Sequence, residues 1–365
     1  MKIKDVIRLL EEFAPASLQE TYDNSGLIVG NKENNVKGVL CTIDTTEEII
    51  EEAEKLDANL IVSHHPIIFN GIKSLTGKNS IERTIVLAIK KDIAIYAGHT
   101  NFDNILQGVN RAICDKLGLK NCKILSPKKN YLFKIVTFVP EKKAQKVREA
   151  LFGAGAGNIG NYDSCSYNVL GDGTFRGNES SNPYAGEKEK LHFEKEVRIE
   201  SIVTKSDLTS VVKEMIKAHP YEEVAYDIYP LENEFQIAGS GMIGRLYKPV
   251  SSKTLLGLLK ESFGTPVIKY AGNSEKEIQV IAVCGGAGSF LIDRAINENA
   301  DAFITGDIKY HQFFEAENKL LLCDIGHYES EQFTSNIFYN LLTKKSSKFA
   351  VHLSRVVTNP IKYHI

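Results

Sequence analysis

At 365 residues the chain exceeds the ~100–200 residues that one compact core usually holds, so two or three domains are expected. Its 44 Lys and Arg nearly balance 46 Asp and Glu, for a net charge of −2, and no basic cluster forms a nucleic-acid footprint. No apolar run approaches the ~20 residues needed to cross a bilayer, and hydrophobic (43%) and charged (25%) contents are those of a globular protein.

Residues 3–13 carry Ile3, Val6, Ile7, Leu10 and Phe13 at helical spacing. With Asp5, Glu11 and Glu12 among them, this start is not a signal peptide. Six cysteines at 41, 114, 122, 165, 284 and 323 form no CxxC pair and read as reduced thiols of a cytoplasmic protein. Tyr22-Asp23-Asn24-Ser25-Gly26 is turn chemistry, and residues 27–30 form a short strand. Residues 36–44 read as a strand ending in Asp44, followed by a helix that opens on Thr45-Thr46-Glu47-Glu48.

The apolar run Leu60-Ile61-Val62 reads as a buried strand that delivers His64 and His65 to its carboxyl end, where Pro66 stops it. In open α/β sheets ligands and cofactors collect at this edge. The pair can be two ordinary loop histidines or two metal ligands. A helix at 80–91 and a strand at 93–96 follow, then Gly98-His99-Thr100-Asn101-Phe102-Asp103 and a helix over 107–117. This alternation predicts a largely parallel sheet.

The texture changes near residue 126. Strands are expected at 131–139, 163–170, 196–204 and 224–231, and helices at 141–152 and 206–218. That order is the split βαβ, ferredoxin-like pattern, and it reads as an inserted domain over 127–234. The polar stretch 171–190 is expected to be a long loop. Phe175, Arg176 and Tyr184 within it are expected to be ordered by contacts across subunits.

Beyond residue 235 the α/β texture returns. Strands are expected at 277–284, 301–305, 320–323 and 350–353, with a long helix over 329–342. The two outer segments, 1–126 and 235–365, look alike and are expected to form one α/β unit from two similar halves. His327 and Glu331 lie four residues apart and share a helix face, and Asp103 occupies the same topological position as the histidine pair. His64, His65, Asp103, His327 and Glu331 then make five donors from three strand ends. Imidazole and carboxylate without thiolate suit Zn, Fe, Mn, Ni or Co, and five donors suffice for two divalent ions if one carboxylate bridges.

Five stretches carry a resemblance to a known family: Tyr22-Asp23-Asn24-Ser25-Gly26-Leu27, Ser63-His64-His65-Pro66, His99-Thr100-Asn101-Phe102-Asp103, Thr305-Gly306-Asp307-Ile308-Lys309-Tyr310-His311 and Gly326-His327-Tyr328-Glu329-Ser330-Glu331. The chain resembles the dinuclear metal-centre proteins called GTP cyclohydrolase 1 type 2 homologs. The insert resembles the signalling-protein-like domain of the longer members, through Asn182-Pro183-Tyr184 and His219-Pro220-Tyr221-Glu222-Glu223. The resemblance implies a two-metal site on the five donors, a ring-shaped homohexamer and, by its name, ring opening of GTP or another nucleotide.

Asp307 and His311, again four apart, are candidates for a proton-transfer pair beside the metals, and His99 has similar status. Gly285 to Ser289 could rest a phosphate on backbone N–H groups, although Leu291 breaks the G-x-G-x-x-G pattern. The reading is a metal-dependent hydrolase. The competing class is a non-enzymatic metal-storage, metal-delivery or regulatory protein whose insert senses a small molecule.

Overall fold

A computed structural model describes residues 1–272, 275–345 and 348–364. The chain forms two compact units: Met1–Pro127 with Gln236–Ile365, and Lys128–Phe235. The strands before the second unit are β1 (Gly26–Val29), β2 (Gly38–Thr42), β3 (Leu60–Ser63), β4 (Ala94–Ala97) and β5 (Lys120–Lys128). Those of the second unit are β6 (Leu132–Pro140), β7 (Ser166–Phe175), β8 (His192–Thr204) and β9 (Tyr226–Pro230). The rest are β10 (Phe235–Ser251), β11 (Lys269–Ala271), β12 (Glu277–Ala287), β13 (Ala302–Gly306), β14 (Leu321–Asp324) and β15 (Ala350–Leu353).

The first unit holds two sheets, in the orders β1-β4-β3-β2-β15 and β11-β14-β13-β12-β10-β5. β15, β2, β3 and β4 run parallel, and β1 closes the edge antiparallel. In the second sheet β12, β13 and β14 run parallel between antiparallel β10 and β11. Strands covered on both faces read as unbroken apolar runs, and β2 and β3 are buried at every residue. Leu40, Ile61 and Ile95 pack with Ile49, Ile50, Ala53, Ile85 and Ala88 of the helices Glu47–Lys55 and Ser80–Lys90. Thr46 and Asn79 start those helices by accepting from the backbone N–H of Ile49 and Glu82.

Two expectations change. The outer segments do not each keep their own strands: β15, from the carboxyl end, pairs with β2, while β5, from before the second unit, lies beside β10. Periodicity marks a strand but not the neighbour that will cover its open edge. The long helix expected over 329–342 is two helices, His327–Glu331 and Thr334–Lys345, and Phe338 of the second meets Phe102 edge-on at 4.8 Å. Asp103 ends the short helix Thr100–Asp103.

The second unit is an antiparallel sheet in the order β7-β8-β6-β9. Ile135, Val139, Ile199 and Val203 of the sheet pack with Val147, Leu151, Val211 and Met215 of the helices Ala144–Gly153 and Leu208–Ala218. The loop is shorter than its composition implies. Residues 171–175 continue β7, with Gly171 opposite Glu196 and Phe175 opposite His192. Gly173 does not break the strand, because its missing Cβ leaves the space that the Glu196 carboxylate occupies. Phe175 and Tyr184 contact Tyr221 of their own unit, at ring distances of 5.8 and 6.0 Å. Among the described residues no helix is long and apolar enough to cross a membrane.

The chain leaves and re-enters the first unit through neighbouring strands, β5 and β10. Excising residues 128–235 and bridging the gap with a short Gly-Ser linker should therefore leave a cooperatively folding remainder. Far-UV circular dichroism and a single thermal transition would verify it. Aggregation would show that the excised unit completes the core.

Candidate metal centre

Three chain reversals build the site. β3 ends at Ser63, whose hydroxyl donates to the carbonyl of His65 (3.0 Å) and holds the His64-His65 corner. β4 leads through Gly98 into Thr100–Asp103, and a Cβ at Gly98 would lie 2.7 Å from the Phe102 ring that anchors this turn. β14 leads through Gly326, at φ +97°, into His327–Glu331. The backbone of His327 sits so close to the end of β13 that a Cβ on Gly306 would lie 2.9 Å from it.

Each imidazole is tied down through Nδ1. The partner is the Gly98 carbonyl for His64 (2.9 Å), Asp44 for His65 (2.7 Å) and Asp307 for His327 (2.7 Å). With Nδ1 so engaged, Nε2 is the nitrogen turned inward, as in metal sites whose outer partners set the ligand tautomer. Glu331, its side chain 3% exposed, places Oε2 2.9 Å from His65 Nε2 and 3.0 Å from His327 Nε2. Its Oε1 lies 3.6 Å from His64 Nε2, and Asp103 Oδ1 lies 3.6 Å from the same nitrogen. Gly286 makes room for the carboxylate, since a Cβ there would collide with Glu331 Oε1.

Three donor groups result: His65 with His327 and Glu331, His64 with Asp103 and Glu331, and His64 and His65 with His99, of which the first two share Glu331. His64 Nε2 and Asp103 Oδ1 are buried with no hydrogen-bond partner among the described residues. Such orphans are costly unless a ligand or ion satisfies them. His65 Nε2 and His327 Nε2 face each other at 3.2 Å while both Nδ1 atoms are bound to carboxylates. The donor set therefore fits divalent cations.

Charge follows from the same packing. Burial opposes an imidazolium at His65, but the flanking Asp44 and Glu331 outweigh it and push its pKa up to about 10. Burial also opposes the charged form of His327, and there Glu331 and Asp307 prevail, raising it to about 9. Burial lowers the pKa of His64. Burial, reinforced by Glu331, raises Asp103 well above the carboxylate range. Burial likewise opposes ionisation of Glu331, yet the three facing imidazoles hold it well below that range.

The five expected donors thus converge. His99 stands beside them, its ring 5.2 Å from that of His64 and 5.5 Å from that of His65, with Nδ1 on Asp23 at 2.7 Å. Asp307 and His311 do not form a pair. Asp307 adopts φ 56°, and the following turn, Tyr310–Ala316, is a 3-10 helix, so the two share no α-helical face. Asp307 reaches His327 instead, while His311 is exposed with its ring against Tyr310. The glycine stretch is no phosphate cradle either. The N–H groups of Gly285, Gly286 and Gly288 already donate to Asn110, Ser330 and Thr305.

Sequence reasoning passed over Asp44 and Asp23 as partners. Asp44 ends β2's run just as the histidines end β3's, and that shared position was the available signal. Burial opposes ionisation of Asp23, but His99, Thr100 and Ser25 overcome it and hold its pKa far below the usual range. A cavity of about 460 Å3 opens beside the donors, with Tyr22, Phe69 and Phe290 in its wall. Tyr22 and Phe69 meet at 6.3 Å.

The model of the family described as Duf34/NIF3 (NGG1p interacting factor 3) matches residues 1–360. The chain belongs to the DUF34/NIF3 family. Among curated DUF34/NIF3 relatives, a Halalkalibacterium halodurans protein named GTP cyclohydrolase 1 type 2 homolog is 40% identical over 363 residues, 98% of either chain. The Bacillus subtilis protein of the same name is 34% identical over 99% of this chain and 98% of its own. Among solved structures, a Bacillus cereus protein related to NIF3 superposes with a TM-score of 0.83 at 36% identity, covering 100% of this chain and 99% of that one. The mixed α/β architecture with several sheets is therefore that of the DUF34/NIF3 family.

A divalent metal must displace the protons on His65 and His327, so proton and metal compete. In metal-free protein these raised imidazoles add stability that is full below their unfolded pKa of ~6.5 and lost as pH rises through about 9 to 10. The gap in Tm between zinc-loaded and chelator-treated protein should therefore widen from pH 6 to pH 8. Differential scanning calorimetry at the two pH values reads it, and an equal gap would mean that no proton is displaced. Asp44→Asn should cost about 10–100-fold in zinc affinity with the circular dichroism unchanged; a competition titration with a chromogenic chelator measures the loss.

Proposed function

We propose that the chain is a dinuclear, divalent-metal-dependent hydrolase acting on a compound with a flat heteroaromatic ring, such as a nucleotide. The observation that carries this reading is Glu331, a buried carboxylate whose two oxygens face two different donor sets, each containing an imidazole anchored through Nδ1. His65 and His327 would hold one ion, His64 and Asp103 the other, and Glu331 would bridge them. The donors suit Zn, Fe, Mn, Ni or Co. When bound, such ions activate a water and screen the charge of the reacting group.

The chain's own residues supply the rest. Tyr22, Phe69 and Phe290 offer ring faces against which a base can stack. His99, oriented by Asp23, can take up or release a proton beside the donors. The relatives' name, GTP cyclohydrolase 1 type 2 homolog, supports a nucleotide as the substrate class. The β-α-β-β-α-β order and four-stranded sheet of Lys128–Phe235 support a ferredoxin-like domain inserted into the α/β metal-binding unit. The assembly we expect is a homohexameric ring.

Elemental analysis after reconstitution should give about two ions per chain. Glu331→Gln should lose both, because a bridge serves two sites, whereas Asp103→Asn should lose chiefly one; equal losses would remove the bridging assignment. Metal-loaded protein should turn over at least one member of a nucleotide and phosphoester panel, and His65→Ala should abolish that turnover without unfolding the chain. No turnover, with metal passing reversibly to an acceptor chelator, would assign the protein to metal delivery instead.

A further inference from the structure

The Lys128–Phe235 unit contains a second cavity, of about 700 Å3, built wholly from its own residues. That is the size of a small-molecule pocket. Strand alternation decides which side it occupies. Val197, Ile199 and Val203 of β8 pack in the helix-covered core, while Glu196 and Arg198 line the cavity. The roof comes from the loop after β7 and the turn at Tyr221–Glu223.

Its chemistry is aromatic and acidic. Phe175, Tyr221 and Tyr184 form a chain of tilted rings along the wall. Glu196 is only 8% exposed, and its Oε1 accepts a hydrogen bond from the Tyr221 hydroxyl at 2.6 Å. Its Oε2 has no hydrogen-bond donor, and the carboxylate no cation within 4 Å, among the described residues. The missing side chain of Gly173 keeps the space this carboxylate needs. Burial and the adjacent Glu196 push the Tyr221 phenol well up, so it remains a donor. The lining carries four carboxylates, Asp172, Glu196, Glu222 and Glu223, against two guanidinium groups, Arg176 and Arg198. Arg198 is already engaged by Glu200 at 2.8 Å. Aromatic walls with a carboxylate are how proteins hold ammonium groups.

We propose that this cavity binds a small organic cation, its ammonium or guanidinium group set against Glu196 among Phe175, Tyr184 and Tyr221. Nothing in this assignment depends on the metal centre.

The test is calorimetric titration of the full-length, metal-loaded protein with agmatine, spermidine and choline, with citrate as the anionic control. At least one cation should saturate a single site with Kd below about 1 mM. Glu196→Gln and Tyr184→Ala should each weaken it at least about tenfold, and His65→Ala should leave it unchanged. Tyr184 is half exposed, so its variant reports on the site even where Glu196→Gln perturbs folding. The proposal is overturned if no cation saturates, if neither cavity variant weakens binding, or if His65→Ala removes it. Saturable citrate binding that is lost in Arg176→Ala would overturn it too, by making the cavity an anion site.

Discussion

A carboxylate can be buried as deeply as Glu331 only if positive charge is brought to it, and much of the first unit's local geometry serves that need. Three imidazoles face it, and none is free to rotate. The Gly98 carbonyl, Asp44 and Asp307 each take an Nδ1, which leaves the Nε2 atoms aimed at one small volume. His64 Nε2 and Asp103 Oδ1 remain without partners there among the described residues, and a divalent cation would resolve both deficits at once.

Glycines set how closely these pieces approach. Gly306 admits the start of the His327 helix against β13, and Gly286 leaves the volume that the Glu331 carboxylate fills. The backbone break after Glu331 matters in the same way. It separates a short helix that presents two donors from a longer one that packs Phe338 on Phe102. One continuous helix would have to serve both purposes along a single axis.

The two units handle buried polar groups differently. In the first, unsatisfied donors and acceptors converge on one point and call for an ion. In the second, a single buried carboxylate sits among aromatic rings, with one oxygen satisfied by Tyr221. The first would suit a metal ion, and the second is the pocket we propose for a soft, delocalised or alkylated charge.

By itself the sequence marked the five candidate donors and many of the strands, though not β5, β10 or β11. Leu60-Ile61-Val62 before His64-His65, and the spacing of His327 and Glu331, are local patterns, because burial and helix period act over a few residues. Only the tertiary structure decided which groups those patterns meet. Asp44 and Asp23 come to His65 and His99 from distant strand ends, β15 and β5 settle in sheets their chain positions do not predict, and Asp307 turns to His327 because its backbone adopts a left-handed conformation. The same limit shortened the loop after β7, where the Glu196 carboxylate occupies the space that Gly173 leaves. Partners of this kind are chosen by packing between segments far apart in the chain, and no periodicity within a segment carries that information.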